Sequence, residues 1–405
     1  MRRKQMTTAT IGLSDQELTA ALDELFVEGE VGARTRERSA FDLLAGSSAK
    51  PMVLFGAGQL GRMTLAGLRK VGIEPIAIAD NNRRLWNTRV EGVETLSPGE
   101  AAARYGAHAN FIVTIWGGSG TERMAEREAH LRRLGCHNII PFQTLFWRHP
   151  ELWLPHYGVD LPHKVQQQQS EVREAGRMWF DDASRAEYLA QLRWRLFGDF
   201  NGLPDPVAHA TYFPLDLCPL IDQEVFVDCG AYDGDTIRSF CKESKDSFAY
   251  IFGFEPDPAN FIKLSKSRST LPRQESISLQ RAAVGASSGT VTFSADGSAA
   301  SHVGGGDIVV DCVSLDETLS GAGPTYIKMD IEGAELDALT GARNIIERHS
   351  PVLAICSYHL QNHLWKVPLL IKSLNDRYRF FLRPHFLEGW DLVTYAIPKH
   401  RLRQQ

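Results

Sequence analysis

Long apolar runs are missing from this sequence, and none approaches the ~20 residues that a bilayer-spanning helix needs. The basic stretch at residues 1–10 is not followed by the apolar core of a signal peptide. The six cysteines are scattered and form no CxxC pair, which disfavours both a disulfide framework and a zinc site. We therefore expect a cytoplasmic protein with reduced cysteines and no membrane span.

Strong net charge is also missing. The formal net charge is −5 at pH 7, so no overall field draws the chain to nucleic acid or to an anionic membrane. Hydrophobic residues make up 43% and charged residues 23%, an ordinary globular mixture, and 405 residues leave room for two or three domains. We predict a small-molecule or glycan partner and no nucleic acid, while a homo-oligomer stays open.

Apolar runs alternate with helical stretches along most of the chain, a pattern typical of parallel α/β domains. The predicted fold is α/β with two Rossmann-like domains. Near the start, Ser14 and Glu17 have the spacing of a helix capping box. An amphipathic helix predicted at 183–196 is expected to lie over the second domain. Four segments are predicted: a helical leader at 1–48 that ends in a Gly-Ser-Ser linker at 46–48, a Rossmann-like nucleotide-binding-type domain at 49–150, a helical connector at 151–215, and a second α/β domain at 216–405.

The second domain departs from simple strand–helix alternation in two places. An inserted strand pair, 290–293 and 307–313, follows the predicted third strand at 278–284. Two strand candidates near the end of the chain, 379–382 and 392–397, have no helix between them. Adjacent strands of this kind indicate an antiparallel edge on an otherwise parallel sheet.

A glycine-rich turn follows the first strand of the second domain, in the segment Val-Asp-Cys-Gly-Ala-Tyr-Asp-Gly-Asp-Thr at 227–236. Gly230 and Gly234 would let the backbone pass close to a ligand because they carry no Cβ. The next strand ends at Glu255, 27 positions after Asp228, where a carboxylate could accept both ribose hydroxyls of an adenosine. The GxGxxG spacing of a dinucleotide fold is absent, so a nucleoside without phosphates fits better. The structural alternative is a tight strand–helix turn with an acidic N-cap.

Acidic residues follow the strand predicted at 326–329. Asp330 and Glu332 are two positions apart, so on an extended backbone both would project to one face at the mouth of the pocket. Tyr358 and His359 follow the next strand. These residues predict a polar reaction site beside the ligand pocket. The alternative is that the two acids favour the N-terminus of the helix after them, and that His359 bonds to backbone.

Five ordered motifs carry a resemblance to the FkbM family of methyltransferases, and it covers about 222–398. It implies that 216–405 is an S-adenosylmethionine-dependent methyltransferase domain with a class I methyltransferase sheet. Members of the family are generally O-methyltransferases, often acting on sugars of polysaccharides, glycolipids or natural products. The motifs are Asp-x-Gly-Ala-x-x-Gly-x-Thr at 228–236, Phe-Glu-Pro-x-Pro at 254–258, Ala-Ala-Val-Gly at 282–285, Val-Ser-Leu-Asp-Glu-Thr-Leu at 313–319 and Ile-Lys-Met-Asp-Ile-Glu-Gly-Ala-Glu at 327–335.

The resemblance also implies a cofactor site. Glu255 would hold the ribose of S-adenosylmethionine, and two alanines after the third strand would lie beside the adenine. The residues implied for this site are Asp228, Gly230, Ala231, Gly234, Thr236, Glu255, Ala282 and Ala283.

Methyl transfer to a hydroxyl requires that the oxygen be positioned and its proton removed. His359 is a natural general base because histidine titrates near neutral pH. Asp330 or Glu332 could instead be the base, orient the hydroxyl, or bind a divalent cation such as Mg²⁺, which prefers oxygen ligands. We predict these three residues as catalytic. His302 lies in a Gly/Ser-rich loop at 297–306 that either closes over a ligand or is a surface loop.

The first domain carries a second glycine motif, Gly56-Ala-Gly58-Gln-Leu-Gly61, between a strand and a helix. Asp80 ends the next strand about 20 residues on, as a dinucleotide fingerprint requires, and the helix N-terminus could receive a phosphate. The segment at 52–98 is similar to nucleotide-sugar-binding domains of sugar acyltransferases. We expect it to bind a nucleotide-sugar or another nucleotide, or else to be a degenerate Rossmann domain used for packing or dimerisation.

The favoured function is O-methylation of a carbohydrate hydroxyl, possible acceptors including a nucleotide-sugar. Three rivals stay open. The chain could be a regulatory or scaffold protein that senses nucleotide or S-adenosylmethionine. It could be an NAD-dependent oxidoreductase working through the first domain, or a methyltransferase of a non-sugar natural product.

Overall fold

The computed structural model describes residues 13–46, 50–118, 120–294, 302–303, 306 and 308–403. Most of the predicted linker at 46–48, most of the loop at 297–306 and the side chain of His302 lie outside the described residues. Within the described ranges, no helix combines the length and the apolar character needed to cross a membrane.

Two helices precede the first sheet, α1 at Asp15–Phe26 and α2 at Gly29–Ala45. The capping box is confirmed: the Ser14 side chain accepts from the Glu17 amide, and the Glu17 carboxylate accepts from the Ser14 amide at 2.8 Å. The two helices bury their apolar sides in different cores. Leu18 of α1 joins the core of the C-terminal half, whereas Phe41 of α2 joins the core of the N-terminal half.

The N-terminal half contains a six-stranded sheet in the order β3-β4-β2-β1-β5-β6. Neighbouring strands are parallel except β3 and β4, which form an antiparallel hairpin. This hairpin was not predicted, because its strands are three and four residues long and partly exposed. The elements are β1 (Met52–Phe55), α3 (Gln59–Lys70), β2 (Ala77–Ala79), β3 (Thr88–Val90), β4 (Val93–Leu96), α4 (Pro98–Tyr105), β5 (Asn110–Val113), α5 (Met124–Arg133) and β6 (Asn138–Pro141).

A run of helices joins the two sheets: α6 (Phe142–Arg148), α7 (Pro150–Trp153), α8 (Pro162–Gln167), α9 (Gln169–Gly176) and α10 (Asp182–Phe197). The Asp181 side chain caps α10 by accepting from the Ser184 amide. The helix lies over the C-terminal half, as predicted, since Leu189 and Leu192 enter its core and Ser184 Oγ accepts from the Leu382 amide at 2.9 Å.

The C-terminal half contains a seven-stranded sheet in the order β16-β17-β15-β14-β7-β8-β9 and a smaller inserted sheet, β10-β13-β11-β12. Its first elements are β7 (Val225–Cys229), α11 (Asp235–Glu243), β8 (Tyr250–Phe254), α12 (Pro258–Arg268), β9 (Ile277–Gln280), β10 (Ala283–Val284), β11 (Gly289–Ser294), β12 (His302–Val303), β13 (Ile308–Val313) and α13 (Leu315–Thr318). The remaining elements are β14 (Tyr326–Met329), α14 (Glu335–Thr340), α15 (Arg343–His349), β15 (Val352–Cys356), α16 (His363–Leu374), β16 (Tyr378–Pro384) and β17 (Leu392–Pro398).

The antiparallel edge is confirmed, since β17 pairs antiparallel with both β15 and β16. The predicted third strand at 278–284 was wrong in its extent. It divides into β9, which pairs with β8, and β10, which pairs with β13 of the inserted sheet. The chain turns away between them because the amide of Ala282 donates to the carbonyl of Gln280, which ends the ladder. The larger sheet reverses its strand order at β7, and such a reversal opens a crevice at the carboxyl ends of the strands.

Candidate active site

A cavity of about 470 Å³ lies at the carboxyl ends of β7, β8 and β14. Its volume falls within the range of small-molecule sites. The wall combines backbone of the glycine turn, aromatic rings and several acidic side chains. The lining includes Tyr212, Gly230, Tyr232, Asp235, Thr236, Phe254, Glu255, Ala282, Ala283, Lys328, Asp330, Glu332, Tyr358 and Asp391.

Gly230 sits where the ends of β7 and β14 come closest. Its φ is +80°, and a Cβ added there would lie 1.9 Å from the carbonyl oxygen of Asp330. Only glycine tolerates both the left-handed backbone and this contact. The glycine turn therefore lies directly against the acidic segment that follows β14.

Glu255 ties the cofactor-side loops together. Its carboxylate accepts hydrogen bonds from the amides of Tyr232 and Asp257, at 2.9 and 2.8 Å. Burial raises its pKa to about 7, although these two hydrogen bonds oppose the shift. Glu255 thus fixes the loops after β7 and β8 while lining the cavity.

Lys328 forms a buried ion pair with Asp228, in which Nζ lies 2.9 Å from Oδ1. The two residues are direct partners in the β14–β7 ladder. Lys328 Nζ also donates to the carbonyl of Gly230 at 2.7 Å. Burial raises the pKa of Asp228 to about 6, while Lys328 opposes that shift. The pair links β7 and β14 in the middle of the sheet, and Lys328 also lines the cavity.

Asp330 and Glu332 converge on His359. The Nε2 atom of His359 lies 3.2 Å from Asp330 Oδ1 and 3.7 Å from Glu332 Oε2. The backbone that carries the two acids is not extended, in contrast to the prediction from the sequence. β14 ends at Met329, and Glu332 adopts a left-handed conformation with φ of +53°. A non-glycine residue held in this region is strained, and such strain clusters at functional sites.

The three groups differ in their protonation. Burial alone would raise the pKa of Asp330, but the contact with His359 and the charge of Lys328 lower it well below its usual value. Burial, reinforced by the neighbouring acids, raises the pKa of Glu332 to about 7. Burial disfavours the charged form of His359, yet Glu335, Glu332 and Asp330 raise its pKa well above its usual value.

Behind His359 lies a fully buried carboxylate. Glu335 Oε1 lies 2.7 Å from His359 Nδ1, and Glu335 Oε2 lies 3.1 Å from His363 Nδ1. From the sequence alone, Glu335 could as easily be a structural residue of the helix after β14. The structure shows that it orients the imidazole from the side opposite the cavity.

Sequence reasoning missed two further site residues, Tyr212 and Asp391, and assigned no role to a third, Tyr358. Tyr212, in the connector, donates through its hydroxyl to Asp330 Oδ2 at 2.8 Å. Tyr358 was noted, and its hydroxyl donates to Asp330 Oδ1 at 3.4 Å. Asp391, before β17, lines the cavity, and burial together with the charge of Asp330 raises its pKa to about 7. Only long-range packing brings Tyr212 and Asp391 here.

Comparison with known proteins identifies a family match within this half of the chain. Residues 228–383 match the family described as methyltransferase FkbM domain. These residues are a methyltransferase FkbM domain. The sheet has the strand order of a class I methyltransferase with an antiparallel edge, so the predicted family and fold class are confirmed.

Solved structures also resemble the chain. Methyltransferase FkbM from Methylobacillus flagellatus is 23% identical and matches 94% of this chain and 98% of its own, with a TM-score of 0.72, which supports the fold. An rRNA methylase from Streptococcus thermophilus is 15% identical and matches 45% of this chain and 90% of its own, with a TM-score of 0.28. UDP-D-quinovosamine 4-dehydrogenase from Vibrio fischeri is 22% identical and matches 23% of this chain and 78% of its own, with a TM-score of 0.19. Both matches are too weak to carry an argument. No curated protein matches the chain significantly.

In the FkbM domain, five of the predicted cofactor residues line the cavity: Gly230, Thr236, Glu255, Ala282 and Ala283. Three others lie behind its wall. Asp228 is turned to Lys328, Ala231 is fully buried, and Gly234 packs beside Leu264 and Ser267.

The predicted catalytic residues of the FkbM domain divide in the same way. Asp330 and Glu332 line the cavity, whereas the side chain of His359 is 2% exposed and lies behind them. Within the described ranges, no group of three or more His, Cys, Asp or Glu is arranged to hold a metal ion. The Mg²⁺ ion at Asp330 and Glu332 stays a prediction from sequence.

The N-terminal glycine motif lines a separate cavity of about 680 Å³, through Gly56, Gly58 and Asp80. Gly61 packs inside instead, where a Cβ would lie 1.9 Å from the carbonyl oxygen of Gly56. Asp80 accepts from the amides of Ala57 and Asn82, both at 2.7 Å, and so holds the glycine loop. The ligand and the domain boundaries stay predictions.

Proposed function

We propose that the FkbM domain transfers a methyl group from S-adenosylmethionine to a hydroxyl of a carbohydrate or sugar-containing metabolite. The observation that carries the proposal is the acidic wall of the cavity. Asp330 remains ionised, while Glu332 and Asp391 have pKa values of about 7. A hydroxyl nucleophile needs such a proton acceptor, and a group that titrates near the working pH is the most effective one.

The cavity fits the methyl donor that the family implies. The glycine turn leaves backbone exposed at Gly230, and Glu255 faces the same space as the small side chains of Ala282 and Ala283. These residues would hold the nucleoside part. When bound, S-adenosylmethionine supplies an electrophilic methyl group on a sulfonium centre.

The chain's own residues then handle the hydroxyl. Asp330, held as a carboxylate, would accept a hydrogen bond from the acceptor and fix its orientation. Glu332 would receive the proton. His359 is a positioning residue in this proposal, because its charged imidazole lies behind both carboxylates and sets their protonation. This role replaces the general base that the sequence suggested for His359.

The pH profile provides a test of this assignment. Because the carboxylate of Glu332 is the active form, kcat/KM should rise about tenfold per pH unit below pH ~7 and level off above it. The change of His359→Gln removes a cation that lowers the pKa of Glu332. The acid limb should therefore move to higher pH. If the His359→Gln variant had lower activity but the acid limb of its pH profile stayed at the same pH, His359 would have only a structural role.

Cofactor binding provides the direct test of the domain. We expect S-adenosylhomocysteine to bind the wild-type protein in calorimetric titration. The change of Glu255→Ala should weaken binding about ten- to a hundredfold, because a charged hydrogen-bonding group is lost. Glu275→Ala, at an exposed glutamate of the same half, is the matched control.

Either of two results would contradict this prediction: absence of binding by the wild type, or equal binding by the Glu255 and Glu275 variants. Melting temperatures of both variants separate lost binding from lost folding.

The six cysteines are all free and buried, which supports a reducing compartment, and we propose the cytoplasm.

A further inference from the structure

The N-terminal cavity is built from both halves of the chain. Its floor is formed by the carboxyl ends of β1, β2 and β5, through Gly58, Asp80 and Thr114. The strand order reverses at β1, so this is the ligand-binding crevice of an open α/β sheet. Tyr157 of the connector and Trp390 of the FkbM domain complete the wall. The cavity therefore does not belong to the N-terminal sheet alone.

One end of this cavity suits an anion. α3 has 12 residues, and within the described chain no side chain caps its N-terminus at Gly58. A Cβ added to Gly58 would meet nothing within 4 Å, so the space beside this glycine at the start of α3 is open. Amides at a helix N-terminus, together with the helix dipole, bind phosphate.

A buried arginine also lines this cavity. Arg127 is 3% exposed and lines the cavity. Its Nη1 atom lies 3.1 Å from Glu388 Oε2, while its Nε atom has no hydrogen-bond partner among the described residues. Glu388 offsets part of the charge, and Nε remains a buried donor without a partner among the described residues.

The other end of this cavity adjoins the active site. Trp390 lines the N-terminal cavity, and the next residue, Asp391, lines the active-site cavity. The ring centroid of Tyr157 lies 4.5 Å from that of Trp390 and 6.2 Å from that of Tyr358. The rings of Tyr157 and Tyr358 are stacked, with an interplanar angle of 14°. Tyr358 in turn lines the active-site cavity. The two cavities therefore share an aromatic wall.

We propose that the two cavities bind a single acceptor, a nucleoside diphosphate sugar. Its diphosphate lies at the N-terminus of α3, and its sugar passes along Tyr157 and Trp390 to the carboxylates of Asp330 and Glu332. Aromatic rings suit the apolar faces of a sugar, and carboxylates suit its hydroxyls. This inference rests on the proposed function and adds the substrate class and the domain that binds it.

Calorimetry of the full chain with UDP, GDP, ADP and NAD⁺ tests the anion end. We expect at least one nucleoside diphosphate to bind the wild type more tightly than NAD⁺. The change of Gly58→Ala should weaken that binding about tenfold, because the methyl group blocks approach to the amides. Gly58 has φ of −71°, so alanine introduces no backbone strain. Gly99→Ala is the matched control, since a Cβ there also meets nothing within 4 Å.

Methyl transfer tests whether one acceptor spans both cavities. With UDP-, GDP- and dTDP-linked sugars as acceptors, kcat/KM should exceed that for the free sugars at least tenfold. The Gly58 variant should raise KM for the linked sugar and leave S-adenosylhomocysteine binding unchanged. Equal use of free and linked sugars would overturn the inference, as would a preference for NAD⁺ or a Gly58 variant that binds like the wild type. In those cases intact S-adenosylhomocysteine binding would leave the proposed function standing.

Discussion

Replacing Glu332 with glutamine should lower kcat about 10²- to 10⁴-fold, the usual contribution of a positioned general base. Glutamine preserves the size of the side chain and cannot take up a proton at neutral pH. In our proposal Glu332 contacts the acceptor and not the nucleoside part of the cofactor, so binding of S-adenosylhomocysteine should be unchanged. Single-turnover methyl transfer, measured beside calorimetric titration, separates the two effects.

Two variants sharpen this test. Glu317→Gln changes an exposed glutamate of the same domain and should keep full activity. Asp391→Asn removes a carboxylate that also lines the cavity with a pKa of about 7 and that our proposal does not use. If kcat falls about 10²- to 10⁴-fold in the Asp391 variant while the Glu332 variant keeps its activity, the proton acceptor is Asp391 and our assignment is wrong.

Replacing Lys328 with methionine should lower the free energy of unfolding by about 3–5 kcal/mol, because it leaves a buried charge without its partner. Asp228 is fully buried, and its pKa is already raised to about 6. Without Lys328 that pKa rises further, so the loss of stability should be largest at alkaline pH. The loss should shrink as the pH falls and Asp228 becomes protonated. Urea unfolding at several pH values would measure this trend.

The double variant Asp228→Asn with Lys328→Met provides the control. It removes both charges, so it should recover most of the stability that the single lysine variant loses. If the double variant lost the sum of the two single effects, the pair would not be coupled. That result would contradict the ion pair as the source of the effect.

The sequence predicted most of the fold because its strands are apolar runs that end at glycine turns. β7 and β14 were found in this way, and so was the antiparallel edge at β16 and β17. The break between β9 and β10 was missed, because no glycine or proline interrupts residues 278–284 and their division depends on pairing with a second sheet. Local pattern carries no information about that choice of partner.

The site was predictable only where its residues directly follow predicted strands. Asp330, Glu332 and His359 follow neighbouring strands, and the structure brings them together. Which of the three side chains line the cavity and which lies behind them was not predictable. His359 lies behind the acids because Glu335, one helical turn away from them, draws its imidazole inward. Asp391 approaches the site through the turn before β17, which no local motif marks.

The placement of α1 has a consequence for synthesis of the chain. Leu18 and Leu22 of α1 pack into a core whose buried members outside α1 come from Val165 onward and include residues of strands as late as β17. Domains generally fold in order as they emerge from the ribosome. α1 is made among the first of the described elements, yet its final binding surface is completed among the last. Until then its apolar side is available to chaperones, and the sheet of the N-terminal half can form without it.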